Sequence, residues 1–199
     1  MLFRRKFKGA IGYFKLEKFW SKLTEHERQM VKQASDAGLS LEVSLTDVGD
    51  SDAIDSGEFS APFRIDGKKQ IPLNTPIDYF SKILPNLLNS ADREKAELFI
   101  KWYEYLIKKF PKVNDIWSLY FFHMSAMKAY KSLDNIPKAV EAAEANLQLA
   151  LKLSRSIKKS ALSNPCYEFL CYYYSKKEIN DKKSRWLRKI AKRCGWNSC

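Results

Sequence analysis

From Pro76 to Cys194 apolar residues recur every three or four positions, the spacing of helices that each bury one face. Ile77, Phe80, Ile83, Leu84 and Leu87 open the series behind Pro76, a residue suited to a first helical turn, and Pro85 is expected to kink or break that helix. A second helix is expected over 91–109, with Ala96, Phe99, Ile100, Tyr103 and Leu106 on one stripe and Pro111 ending it. A third runs over 115–133, and Asp134-Asn135 turns the chain into a fourth over about 136–160. Asn164-Pro165 breaks the pattern, and two shorter helices, about 166–177 and 181–194, complete it.

The N-terminal third is patterned differently. Phe3, Phe7, Ala10 and Phe14 form an apolar stripe flanked by Arg4, Arg5, Lys6 and Lys8, and the stripe is expected to dock on the protein's own body more readily than on a membrane surface. Phe19, Trp20 and Leu23 end a helical stretch. Thr24 with Glu27 then reads as a capping box that starts a helix over 25–37, stopped by Gly38. In residues 39–75, Leu41, Val43 and Leu45 alternate with polar residues as in a half-buried strand, and Asp66-Gly67 between two short apolar runs predicts a two-residue β-hairpin. The acidic stretch from Asp47 to Gly57 is expected to be a mobile loop. Three regions follow: N-terminal amphipathic helices over 1–38, an acidic loop with a small β element over 39–75, and a helical-hairpin domain with a basic end over 76–199.

Spacing repeats across these helices. Tyr130, Ala139 and Ala143 are matched by Tyr174, Lys183 and Leu187, and more faintly by Leu87, Ala96 and Ile100, at a period of 43 to 44 residues. Such self-similarity marks stacked hairpins, because each hairpin leaves open an apolar face that a neighbour must bury. Tyr130 through Leu147 resembles the tetratricopeptide repeat family: an aromatic late in the first helix, a short polar turn, then Ala139 where two helices approach closely. The segment from Tyr167 through Gly195 is similar, with Leu170, Tyr174, Leu187 and Ile190 at matching places. The family's period is about 34 residues, Met127 and Cys171 stand where it has glycine, and Lys183 replaces its alanine, so the hairpins here are longer and divergent. The resemblance implies a mainly α fold of stacked antiparallel hairpins, an α-solenoid, and a groove for a peptide lined by the first helix of each hairpin. By position the groove residues would be Phe121, Met124, Lys128 and Lys131 in one hairpin and Glu168, Phe169, Tyr172 and Lys176 in the next. Lysines over aromatic surface suit an extended acidic peptide.

Charge adds a second reading. The net charge is +12, and the last 48 residues hold thirteen Lys/Arg against three acids. Polyanions are natural partners of such an end. A nucleic acid could lie along the final helix on Lys182, Lys183, Arg185, Arg188, Lys189, Lys192 and Arg193, with Trp186 and Trp196 for stacking; Arg185, Arg188, Lys189 and Lys192 are the outward candidates.

Chemistry is less favoured. No phosphate loop, G-x-G-x-x-G, G-x-S-x-G or H-E-x-x-H pattern occurs, and carboxylates such as Glu141 and Glu144 fall on a charged helix face where solvation is expected. Asp47 and Glu58 are spaced as the outer ligands of a calcium loop, but Gly49, Ser51 and Asp52 do not fit its interior. The cysteines, at 166, 171, 194 and 199, lack C-x-x-C spacing and are expected to be reduced thiols in a cytoplasmic protein, and neither a metal nor a cofactor is expected. The expected protein is a non-catalytic adaptor binding a protein or peptide segment, with nucleic-acid binding as the alternative.

Overall fold

The computed structural model describes residues 8–37, 52–59, 61–66, 69–160, 162–177 and 180–197. It is mainly α-helical, and its chain gathers into two compact units divided between Leu119 and Tyr120. No helix among the described residues is long and apolar enough to cross a membrane.

The first unit begins with α1 (Gly9–Tyr13), α2 (Glu17–Trp20) and α3 (Glu25–Asp36). The capping box at α3 forms: Thr24 Oγ1 accepts from the Glu27 amide at 3.1 Å, and the Thr24 amide donates to Glu27 Oε2 at 2.7 Å. The described part of the apolar stripe, Ala10 and Phe14, is buried in the unit, and so is Ile11 beside it. The acidic stretch departs from the expected mobile loop where it is described. Asp52–Asp55 forms a short helix, α4, with Ala53 and Ile54 buried. The Lys8 amide donates to Asp55 O and the Gly9 amide to Gly57 O, while Asp55 accepts from Trp20 Nε1 and pairs with Lys32 Nζ at 2.8 Å. Charge composition alone hides this docking, because a single buried isoleucine and a half-buried ion pair hold it. Gly9 makes it possible: its φ is +57°, and a Cβ there would stand 2.5 Å from Ala53 O.

Strands β1 (Phe63–Asp66) and β2 (Lys69–Pro72) pair antiparallel, Phe63 facing Pro72 and Asp66 facing Lys69. The expected strand through Leu41, Val43 and Leu45 lies outside the described residues. Next come α5 (Pro76–Ile83), capped by Thr75, and a 3₁₀ turn over Leu84–Asn89, the tightening that Pro85 imposes. Helix α6 (Arg93–Lys109) is capped by Asp92. Its Trp102 is fully buried among Phe19, Trp20 and Phe80, with ring centroids 4.8, 6.1 and 4.7 Å away. Beneath the 110–115 connection Asp78 accepts from the amides of Asn114 and Asp115, and Asp115 accepts from Trp117 N and Ser118 Oγ and lies 3.6 Å from Lys82 Nζ. Asp78 is fully buried, and that burial raises its carboxyl above the usual range despite the two amides.

Helix α7 (Ile116–Ser132) carries the chain into the second unit, which continues with α8 (Ile136–Lys152), α9 (Ser154–Ser160), α10 (Pro165–Tyr172) and α11 (Asp181–Cys194). The helix expected over 136–160 is therefore two, interrupted at Leu153. Helix α10 packs against α8, and α11 packs against α8, α9 and α10. Small side chains at Ala126, Ala129, Ala139 and Ala143 are buried here, together with Tyr130, Tyr174 and Leu187 of the repeated pattern. The third, faint copy around Leu87 and Ala96 falls in the first unit.

Candidate functional site

Asn164 sets the geometry of the second unit. Its side-chain oxygen caps α10 by accepting from the Tyr167 amide at 3.0 Å, and its Nδ2 donates to Tyr120 Oη at 2.7 Å and Asn146 Oδ1 at 2.8 Å. Asn146 in turn donates to Tyr120 O at 2.6 Å. One buried polar network thus ties together α7, α8 and the start of α10, and each buried amide in it finds a partner.

With the helices so placed, α7 and α10 leave a cleft of ≈ 440 Å³ between them, lined by Met127, Lys128, Lys131, Pro165, Glu168 and Phe169. Helical spacing explains both walls. Phe122, Ala126, Ala129 and Tyr130 turn into the core, which leaves 121, 124, 128 and 131 along the opposite ridge. On α10, Cys166, Tyr167, Leu170 and Cys171 turn inward, leaving 165, 168, 169 and 172 outward. Lys131 Nζ stands 5.2 Å from the centre of the Phe169 ring, a cation–π distance.

Four of the eight expected groove residues, Lys128, Lys131, Glu168 and Phe169, therefore line one cleft. Phe121 and Met124 are half-buried further along the α7 ridge, and Phe121 packs edge-on against Tyr120. Tyr172 is 57% exposed, unusual for so large a ring. Lys176 is exposed within a π-helical turn, Tyr173–Lys177, that extends α10. Local π turns alter the register of a helix, and here Tyr174 is buried with its hydroxyl donating to Glu144 Oε1 at 2.6 Å.

A second cleft, of ≈ 600 Å³, lies along α11 and is lined by Leu151, Lys158, Trp186, Lys189, Ile190, Lys192 and Arg193. Lys189 and Lys192 were expected on such a surface. Arg185 and Arg188 are exposed on α11 but do not line the cleft, and Arg185 Nε donates to Asp181 O. Lys183 departs from the expected phosphate-facing row. It is half-buried, its ammonium bonds Glu144 and lies over the rings of Tyr174 and Trp186, so Glu144 holds an ion pair where solvation was expected. Lys158 and Leu151 were not anticipated, because the break between α8 and α9 leaves no proline or glycine signature in the sequence.

Thiol and imidazole groups in this unit are shielded. Burial pushes the Cys166 thiol up to about 12, against the opposing pull of Lys128, and lowers His123 to about 4. Cys171 is disulfide-bonded while Cys166 and Cys194 are free, which corrects the expectation of reduced thiols throughout; spacing and compartment arguments carry no information about which thiols the fold brings close. His26 sits in an exposed turn, 3.6 Å from Glu94. Among the described residues no group of three or more His, Cys, Asp or Glu is placed to hold a metal ion.

No family model, curated protein or solved structure matches the chain.

Proposed function

We propose that the second unit is a binding module without chemistry of its own, whose α7–α10 cleft holds an extended, acidic segment of a partner protein. In this reading α7–α8 and α10–α11 are stacked hairpins of tetratricopeptide-like form, and the first helix of each faces the groove. The observation that carries it is the convergence of Lys128 and Lys131 from one helix with Glu168 and Phe169 from another, around a single open cleft. Both lysines are exposed, so carboxylates of a peptide can reach them without displacing a buried partner. Tyr172 extends the floor along the same helix face and offers apolar area to side chains between those carboxylates. Glu168 gives the groove polarity and would orient a basic or amide group in the ligand.

The test is selection from a displayed peptide library followed by affinity measurement on individual sequences. Enrichment of peptides pairing Asp or Glu with an apolar or aromatic residue is expected. Lys128→Glu with Lys131→Glu should weaken them by at least tenfold, and Phe169→Ala severalfold, with helicity unchanged. Selected peptides that bind both variants as tightly as the parent would remove the cleft from the account.

A further inference from the structure

The α11 cleft differs from the peptide groove in a way that identifies its ligand class. Four of its seven lining residues are cations, Lys158, Lys189, Lys192 and Arg193, and no carboxylate lines it. None of the four makes an ion pair with a described residue, whereas nearby Lys183 is neutralised by Glu144. All four are exposed. Unpaired cations gathered on a concave surface repel one another, and an incoming polyanion relieves that repulsion while releasing its own counterions.

Local structure fixes where these charges point. On α11, Leu187, Ile190, Ala191 and Cys194 are buried, so 185, 189, 192 and 193 lie toward solvent, with the Cβ atoms of the pairs 185/189, 189/192 and 189/193 roughly 5–6 Å apart. Lys158 arrives from α9. Its methylenes rest on Gly195, which ends α11 in the left-handed conformation at φ +75° and where a Cβ would stand 3.2 Å from Lys158 Cγ. The half-buried Trp186 forms part of the wall, presenting an aromatic surface beside the cations.

We propose that this cleft binds a single-stranded nucleic acid, with Lys158, Lys189, Lys192 and Arg193 on successive phosphates and Trp186 against a base. A concave cluster of exposed cations suits the phosphates of a nucleic acid, and the adjoining indole favours an unpaired base over a duplex, whose bases are stacked away. An acidic peptide could also meet the cations, and the polyglutamate and abasic-strand arms of the experiment separate it from a strand whose bases stack on Trp186. An anionic membrane calls for exposed apolar side chains to insert; among the described residues the exposed large ones, Tyr13, Leu162 and Tyr172, do not line this cleft.

The experiment measures fluorescence anisotropy of labelled oligouridylate and oligothymidylate, about a dozen nucleotides long, with the full chain across a salt series. Four phosphate contacts on a single strand predict a slope of log affinity against log salt of about −3, or about fiftyfold weaker binding between 50 and 200 mM salt. Lys189→Ala with Lys192→Ala should weaken binding by about tenfold and reduce the slope by about 1.4. Lys128→Glu with Lys131→Glu, in the other cleft, should leave the salt slope unchanged. An abasic strand of equal charge should bind at least about fivefold more weakly, the signature of stacking on Trp186. Equal binding of polyglutamate, of an abasic strand or of duplex DNA would overturn the proposal. So would binding confined to phosphatidylserine vesicles, or strand binding that Lys189→Ala with Lys192→Ala does not change.

Discussion

The two units mix large and small side chains in their cores in different proportions. The first closes around large rings: Trp20, Tyr79, Phe80, Phe99 and Trp102 are all at most 1% exposed. Rings of that size fill the space between helices that need not approach closely, and each contributes a large apolar area to stability. The second unit buries rings too, Tyr120, Phe122, Tyr130, Tyr167 and Tyr174, but interleaves them with alanines, Ala126, Ala139, Ala143, Ala150 and Ala191 being fully buried. Small side chains let helices pack with their backbones near one another. The difference shows that where alanines share the core with rings, some aromatic side chains stay outside it: Phe169 and Trp186 are half-buried and Tyr172 is 57% exposed.

The largest expected break in that comparison is Trp102→Ala, which removes the ring shared by Phe19, Trp20 and Phe80. A loss of about 3–5 kcal/mol is expected in the first unit, read from native-state hydrogen exchange of α6 amides, with α8 amides much less affected. Exchange that accelerates equally in both helices would show that the two cores fail together.

Acid should act in the second unit through His123. Burial lowers its pKa from 6.5 to about 4, so the folded chain keeps it neutral while the unfolded chain takes up a proton below about 6.5. The unfolded state therefore binds more protons between those values. Stability from this group is complete above pH 6.5 and is lost as pH falls to about 4, by at most about 3–4 kcal/mol at about 1.4 kcal/mol per pKa unit. Denaturant melts of His123→Leu should show a shallower acid slope than the parent across that window; parallel slopes would place the acid sensitivity elsewhere.

Smaller again is the effect of Ala143→Leu. Over-packing a fully buried alanine of α8 should cost about 1–3 kcal/mol, whereas leucine at Gln148, exposed on the same helix, should cost under about 0.5 kcal/mol. Equal tolerance of both substitutions would contradict a close-packed alanine core.

Much of this organisation is written in local sequence. Thr24 and Glu27 announce the start of α3, Asn180 and Gly195 bracket α11, and Pro85 brings a 3₁₀ turn where a kink was expected. The tetratricopeptide resemblance named Lys128, Lys131, Glu168 and Phe169 by position, and all four line one cleft. What stayed hidden depends on contacts distant along the chain. Nothing beside Gly9 in the sequence marks it as the point where α4 closes onto α1. Asn164 looked like a simple stop before proline, yet its second amide group holds two other helices. Lys183 read as one more surface cation until the fold brought Glu144 to it. The break at Leu153, which delivers Lys158 to the α11 cleft, follows from packing of α9 on α11 and has no local marker.

In the proposed reading a partner chain sits in the cleft between α7 and α10. Hydrogen exchange measured with and without a selected acidic peptide tests it most directly, because bound backbone and covered helices lose solvent access at identifiable amides. Protection concentrated at 124–131 and 165–172, with 185–193 unchanged, is the predicted result. Protection confined to 185–193, or to the first unit, with α7 and α10 exchanging as in the free protein, would contradict it.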